Sequence, residues 1–158
     1  MKRILGIDPG LLHTGWGIID VKGNERKYVD SGVILPPVKM SLAERLAFIF
    51  NAVSELCSKF NPNECSIEVI FVNKNGKTTL LLGHARAAAI TAVAVNNIPV
   101  FEYEPNKVKK ALTSMGHADK DQIYKMLAIL LPNAHPKTAD ESDAIAIALT
   151  HANTSRFI

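Results

Sequence analysis

Three β-rich runs fill most of the first 35 residues, and this clustering constrains the fold more than any other feature of the sequence. The runs cover residues 3–8, 15–21 and 27–35, and turn-forming segments around Pro9 and Gly23 separate them. Short connections between consecutive strands favour antiparallel pairing. The sequence therefore predicts a three-stranded antiparallel meander at the start of the chain.

Helical and β-rich patterns alternate through the rest of the chain. A capping box at Ser41 opens a helical pattern that runs to Phe60, and a dense Ile and Val run follows at residues 65–72. A mostly apolar helix is predicted over residues 78–95, a fifth strand over 99–103, and further helices after it. This order predicts an α/β fold: a five-stranded mixed sheet, three antiparallel strands then two more, flanked by helices.

Length and composition predict one globular domain over residues 1–158, with 47% apolar and 21% charged residues. Its net charge of +3 is too small to identify a partner. The N-terminus lacks the apolar core of a signal peptide, and the longest apolar stretch, residues 87–95, is half a membrane span. That stretch is predicted to be a buried helix. Cys57 and Cys65 match no zinc or disulfide framework, so we expect a cytoplasmic protein with no membrane contact.

Two acidic residues are associated with strand ends or buried strands. Asp8 closes the first strand, where α/β proteins build sites, although an Asp before Pro-Gly is also an ordinary turn residue. Glu68 lies inside an apolar strand run, and an unpaired buried carboxylate is costly. A salt bridge from Glu68 to Arg86 is the structural alternative to a functional role.

Asp140 and Asp143 lie three residues apart at the start of the last helix, on neighbouring faces of one turn. Acids in a first helical turn also complement the helix dipole, and Glu141 is assigned to a capping box with Thr138. The helix that follows is almost wholly apolar, so we expect it to pack on the sheet and to hold both aspartates near the strand ends.

The four carboxylates of Asp8, Glu68, Asp140 and Asp143 form an oxygen-only set of candidate ligands. Such sets select hard cations, Mg²⁺ or Mn²⁺, and not zinc. Two ions held about 4 Å apart activate a water and stabilise the leaving oxygen in phosphodiester hydrolysis. The sequence therefore suggests a two-metal hydrolytic site, although sequence spacing does not establish that the four side chains converge.

Lysines cluster in the two helices that precede the last one, at positions 107, 109, 110, 120 and 125. Basic side chains beside an acidic metal site would hold phosphates that carboxylates repel, although lysines on helix surfaces are usually only solvated. The segment from Gly76 to Thr78 imitates the end of a phosphate-binding P-loop. Phe71 stands where that motif requires its first glycine, so a P-loop enzyme is excluded.

These residues occur in an order and spacing that resemble the RuvC family of bacterial Holliday-junction resolvases over essentially the whole chain. The matching segments, each weak alone and specific together, are residues 4–10, 14–17, 67–68 with Phe71, 82–83 with 85–86, and 140–144 with 146–148.

The resemblance implies a ribonuclease-H-like fold and a homodimer that nicks both strands of four-way junction DNA with Mg²⁺, in recombination and repair. It implies that Asp8, Glu68, Asp140 and Asp143 are the catalytic metal-binding acids, with two ions per site. It also implies that Lys109 and Lys120 lie near the cleaved DNA strand and that Phe71 contacts unstacked bases, where the bare sequence suggests only a core residue. A branch-migration helicase is the expected partner.

Three positions depart from the family pattern: Val69 replaces a frequent Gln, His84 a frequent Gln, and Ala87 a frequent Gly. They bear on substrate contacts and sequence preference rather than on metal chemistry, because all four acids are present. Two rival functions were weighed. An actin-like or sugar-kinase phosphate loop needs two such domains, which 158 residues do not supply, whereas a non-cleaving junction-binding module remains open.

Overall fold

The computed structural model describes residues 1–70, 75–113 and 119–154. These residues form five strands and five helices. In chain order the elements are β1 (Lys2–Asp8), β2 (Thr14–Lys22), β3 (Glu25–Ile34), α1 (Leu42–Phe60), β4 (Glu64–Glu68), α2 (Gly76–Val95), β5 (Val100–Tyr103), α3 (Pro105–Thr113), α4 (Lys120–Leu130) and α5 (Ala139–Thr154).

The five strands form one mixed sheet in the order β3-β2-β1-β4-β5. β1, β2 and β3 pair antiparallel, as the short turns of the sequence predict. β4 pairs parallel with β1, and β5 pairs parallel with β4. The predicted architecture of three antiparallel strands followed by two more is therefore confirmed.

Strand alternation separates two apolar cores on opposite faces of the sheet. Along β1, Ile4 belongs to the core beneath α5, whereas Leu5 and Ile7 belong to the core that includes α1 and α2. This alternation places Gly6 and Asp8 on the α5 face. The functional consequence is that the carboxylate at the end of β1 lies under the helix that carries the C-terminal aspartates.

Glycines let α5 approach the sheet closely. A Cβ atom on Gly6 would lie 2.1 Å from the carbonyl oxygen of Ala144, and one on Gly15 would lie 2.1 Å from the carbonyl oxygen of Asp140. No side chain fits in these gaps without moving the helix. Gly15 is also paired with Asp8 across the β1–β2 ladder, so the close approach occurs beside the predicted site.

β4 is shorter than the sequence predicts. The predicted strand over residues 65–72 is wrong at its C-terminal end, because the strand stops at Glu68. The neighbouring strand β5 ends at Tyr103, and the last backbone bond of this pair runs from Val69 N to Tyr103 O at 2.9 Å. Val69 and Ile70 lie outside the strand, and residues 71–72 of the predicted run lie outside the described residues, so Glu68 is a strand-end residue and not one buried on both faces.

α2 is less buried than expected. It is the only helix in the described ranges that is long and apolar enough, by length and composition alone, to cross a membrane. One side packs into the core through Ala85, Ala89, Ala92 and Val93, whereas Leu80 and Val95 are exposed. The prediction of a buried helix therefore holds for one side of α2 only.

Candidate active site

Adjacent parallel strands bring two acidic residues together. Ile7 of β1 is paired with Ile67 of β4, so the residues that follow them, Asp8 and Glu68, end neighbouring strands on the α5 face. Ser66, two residues before Glu68, points to the same face and donates a hydrogen bond to the Ile147 carbonyl of α5 at 3.3 Å. The sheet therefore fixes the separation of these two carboxylates before any side-chain contact is considered.

The first turn of α5 adds the other two acids at the same edge. A cavity of about 390 Å³ is lined by Asp8, Glu68 and Asp143 together with Lys109 and Lys120. Asp140 does not line this cavity. Its carboxylate lies 3.5 Å from His13 Nδ1, and its charge still acts on Asp8. The structure thus brings three of the predicted acids to one cavity, with Asp140 beside it.

The carboxylates influence one another electrostatically. The pKa of Asp8 is raised from 3.8 to about 7, first by burial and then by the charges of Asp143, Glu68 and Asp140. Burial and the charge of Asp143 also raise the pKa of Glu68, against the opposing effect of Lys109 and Lys120. A cluster of partly buried carboxylates with this mutual repulsion is short of positive charge.

Two lysines supply the positive charge nearest to the acids. Lys120 Nζ donates to Asp143 Oδ2 at 3.3 Å, and the Asp143 charge raises the pKa of Lys120. Lys109 lines the same cavity from α3. Both lysines therefore lie where a phosphate next to the carboxylates would find a cation.

The alternative role of Glu68 as the salt-bridge partner of Arg86 does not hold. Arg86 pairs its guanidinium with the Glu102 carboxylate, and its Nε donates to the backbone carbonyl of Glu68 at 3.1 Å. The Glu68 side chain is left facing the cavity, where no described residue donates a hydrogen bond to it.

The donor set fits hard divalent cations. Three of the predicted acids present carboxylate oxygens to the cavity, and a cation bound among them would offset the mutual repulsion that, after burial, raises the pKa of Asp8. Within residues 1–70, 75–113 and 119–154, no three acidic, His or Cys side chains already surround a single point. The pairing of Asp143 with Lys120 and of Asp140 with His13 accounts for part of this separation.

Several residues that support the site gave no recognised signal in the sequence. Arg45, 8% exposed, donates to the carbonyl of Leu11 at 3.2 Å and so holds the loop after Asp8 against α1. Glu141 does more than cap α5, because its carboxylate also accepts a 2.8 Å hydrogen bond from Ser31 of β3. His13 contacts Asp140. Each contact joins residues that are far apart in the sequence, so no local sequence pattern predicts it.

One predicted DNA-contacting residue, Phe71, lies outside the described residues. The departures Val69, His84 and Ala87 lie within them. Val69 extends the backbone pairing with β5, and His84 and Ala87 are on α2. The Val69 side chain also lines a second, smaller cavity next to Asp8 and Glu68. Position 69 is therefore the departure that lies nearest to the acids.

Comparisons with known proteins agree with the geometry. The family model "Crossover junction endodeoxyribonuclease RuvC" matches residues 4–151. Proteins of that name from Nitrobacter hamburgensis and Bartonella henselae are 52% and 47% identical to this chain. The two alignments cover 96% and 95% of the chain and 89% of each relative.

Solved structures give the same result. RuvC of T. thermophilus in complex with a Holliday junction substrate superposes with a TM-score of 0.93 at 31% identity, covering 99% of this chain and 96% of that one. The yeast mitochondrial Holliday junction resolvase Ydc2 shares the fold, with a TM-score of 0.67 at 15% identity. The fold is that of the ribonuclease-H-like resolvases. The chain therefore belongs to the RuvC family of crossover junction endodeoxyribonucleases.

Proposed function

We propose that this chain is a structure-specific DNA endonuclease that resolves four-way junctions by paired phosphodiester hydrolysis in homologous recombination and repair. The observation that carries the proposal is the single cavity in which Asp8, Glu68 and Asp143 meet Lys109 and Lys120. Carboxylates suited to metal ions and lysines suited to phosphates are both needed for this chemistry. The T. thermophilus relative, described in complex with a Holliday junction substrate, supports the choice of DNA structure.

The metal is proposed to be Mg²⁺, with Mn²⁺ as a substitute and two ions per site. The RuvC-family nucleases are metal-dependent, which supports this assignment. Asp8, Glu68, Asp140 and Asp143 would hold the ions. When bound, such ions activate a water and stabilise the leaving oxygen of the cleaved phosphodiester. Occupation requires ionised carboxylates, and the pKa of Asp8, raised to about 7 mainly by burial, means that this carboxylate ionises only near neutral pH.

The lysines and Phe71 are proposed to contact DNA. Lys120 would exchange its bond to Asp143 for a DNA phosphate, and Lys109 would hold the same strand from α3. Their ammonium groups offset the repulsion between the phosphate and the acids. For Phe71 the support is the family resemblance alone, which suggests stacking on bases at the junction centre.

Paired cuts need two sites, so we propose a homodimer. α2 supports this proposal, because Leu80, Ala87, Thr91 and Val95 recur on one exposed side of the helix. Leu80 and Val95 are 63% and 64% exposed, and with Ala87 between them they form an apolar stripe along that side of the helix. A second copy would bury this stripe and place the two cavities in one assembly.

Location and a larger assembly are proposed from the cysteines and from the family resemblance. Cys57 and Cys65 are buried and unpaired, and burial raises the pKa of Cys57 to about 11, so neither is a reactive thiol. Free cysteines suit the reducing cytoplasm, where DNA is available. A branch-migration helicase as partner rests on the family resemblance.

Cleavage of a synthetic four-way junction tests the function. Wild type should introduce nicks in Mg²⁺, whereas Asp8→Asn, Glu68→Gln and Asp143→Asn should each slow nicking by about a hundred-fold or more while still binding the junction. Glu55→Gln, which changes an exposed acid on α1, is the matched control and should cleave normally. A wild-type protein that binds junctions but never nicks them in Mg²⁺ or Mn²⁺ would instead be a binding module.

Sedimentation tests the dimer. Leu80→Glu should convert the protein to monomers and turn paired cuts into uncoordinated single nicks, because a charge would be buried in the interface. Ile129→Glu alters an equally exposed residue, 68% exposed on α4, and should leave the dimer intact. The dimer proposal fails if wild type sediments as a monomer at the concentrations used for cleavage.

A further inference from the structure

The hydroxyl of Tyr124 is buried, and it has no hydrogen-bond partner in the described part of the chain. Buried hydroxyls nearly always have a partner, because leaving one unsatisfied costs free energy. The proposed function so far gives this group no task. An unpaired polar atom beside a reaction site therefore requires an explanation.

Tyr124 lies close to the acidic residues of α5. It is one helical turn after Lys120 on α4, so the two side chains share a face of that helix. Its ring packs against the apolar core that contains the α5 residues Ile145 and Ile147. After burial, the charge of Asp143 is the largest influence on the Tyr124 hydroxyl, and the charges of Asp140 and Asp121 act in the same direction.

These charges also fix the chemical form of the hydroxyl. Burial and the neighbouring carboxylates raise the pKa of Tyr124, and Lys120 opposes that rise only in part. The group stays protonated at every pH at which the protein would work. It is thus a neutral hydrogen-bond donor on the helix face that carries Lys120, the residue bonded to Asp143.

In this structure the Asp143 carboxylate is bonded to Lys120. Its ammonium donates to Asp143 Oδ2 at 3.3 Å, yet its side chain is 69% exposed and is free to turn toward solvent. If Lys120 moves to a DNA phosphate, the Asp143 carboxylate loses this hydrogen bond. Ligand carboxylates that lose their hydrogen bonds also lose much of their affinity for metal.

We propose that the Tyr124 hydroxyl is a second donor to Asp143, which orients this carboxylate when Lys120 leaves it. Tyr124 is then a positioning residue, acting on the reaction only through Asp143. The role of Lys120 at DNA rests on the proposed function, but the exchange of partners at Asp143 does not, because removing the Lys120 side chain should produce it without DNA.

A double-mutant cycle in urea tests the exchange on the protein alone. In the wild-type background, Tyr124→Phe should leave the unfolding midpoint unchanged or raise it, because it deletes an unsatisfied hydroxyl. In a Lys120→Ala background the same change should lower the midpoint by about 0.5 M urea, since it now breaks a hydrogen bond. Lys125→Ala removes an exposed lysine from the same helix and is the matched background, in which Tyr124→Phe should behave as in wild type.

An equal effect of Tyr124→Phe in all three backgrounds would overturn the proposal. Lys120→Met repeats the cycle with a side chain of similar length, so the result does not depend on how well the alanine variant folds. This readout is independent of cleavage. If the protein proves not to be a nuclease, the exchange at Asp143 still stands or falls on the urea midpoints.

Mn²⁺ binding without DNA gives the second readout. In the Lys120→Ala background, Tyr124→Phe should raise the Mn²⁺ concentration needed for half of the maximal thermal stabilisation several-fold. The same substitution in the Lys125→Ala background should leave that concentration unchanged. A shift of equal size in both backgrounds would mean that Tyr124 acts on the fold and not on Asp143, and would refute the proposal.

Discussion

Asp8 combines a position at the cavity with a cost to stability. Its pKa is 3.8 in an ordinary environment and about 7 in the fold, so between these values the unfolded chain is ionised while the folded protein holds the proton. The folded state then binds more protons than the unfolded state, and stability falls as pH rises through this window. Above about pH 7 the full cost of a buried, repelled carboxylate is present.

Asp8→Asn should therefore stabilise the protein at pH 8 by roughly 2 kcal/mol, and the gain should vanish near pH 4. Urea unfolding at both pH values measures the difference. Glu55→Gln, the exposed acid on α1, should change stability by the same small amount at the two pH values. A pH-independent gain from Asp8→Asn would show that repulsion at this site is not the cause.

Metal binding should depend on pH for the same reason. Below about pH 7 a cation must displace the proton of Asp8, whereas above it the carboxylate is already ionised. The rise in melting temperature caused by 10-fold excess Mg²⁺ should thus be larger at pH 8 than at pH 5.5, as measured by calorimetry. Asp8→Asn should abolish most of this difference, and an equal rise at both pH values would contradict the prediction.

The sequence predicted the acidic residues of the cavity better than it predicted the contacts around them. Asp8, Glu68, Asp140 and Asp143 were chosen from their positions in strands and helices, and three of them line one cavity. His13 and Tyr124 were not, because their proximity to α5 arises only when distant segments fold together. His151 is likewise fully buried between Tyr103 and Glu64, with 2.6 Å hydrogen bonds to both, and these contacts also join distant segments.

Among the elements, α5 packs closest to the sheet, and glycines without side chains on the facing strands allow this close packing. Gly15 of β2 faces the Asp140 carbonyl at a distance that admits no Cβ atom. Gly15→Ala should push the start of α5 away from β1 and cost about 1–3 kcal/mol of stability. Because a misplacement of about 1 Å in catalytic groups can slow a reaction about a hundred-fold, nicking should fall more than folding does.

Gly76→Ala provides the comparison, since nothing lies within 4 Å of a Cβ atom there. It replaces a glycine in the first turn of α2 and should leave stability within about 0.5 kcal/mol and nicking unchanged. Junction nicking by folded protein, corrected for the unfolded fraction, separates the two effects. Normal nicking by folded Gly15→Ala would show that α5 accommodates the extra methyl group without moving its aspartates.

Elements with both a start signal and a hydrophobic period were predicted well. Ser41 caps α1 through the predicted capping box, and Asp119 caps α4 through a capping box with Gln122. β4 was predicted too long because its apolar composition continues past Glu68, where pairing with β5 ends. The length of a strand depends on where its partner strand ends, and the sequence of one β-rich run does not show this.

Across the whole molecule, basic and acidic residues nearly balance in number, but the sum does not show where they lie. The 18 basic and 15 acidic residues sum to +3, yet acids and lysines meet at one end of the sheet. The antiparallel meander was predictable because short turns join its three strands, whereas the order in which β4 and β5 join the sheet was not predicted. The partners of that sheet edge were not, because a small net charge says nothing about where each charge lies.

Junction affinity should therefore depend on salt through a few lysines and not through the net charge. Each phosphate contact that is lost should reduce the slope of log affinity against log salt by about 0.9. Lys109→Ala and Lys120→Ala should each produce that change. Fluorescence anisotropy in Ca²⁺, at salt concentrations from about 50 to about 200 mM, measures it. Lys39→Ala removes the same charge from an exposed loop before α1 and should leave the slope unaltered. If all three variants lower the slope equally, affinity depends on overall charge, and the prediction that Lys109 and Lys120 contact DNA phosphates is wrong.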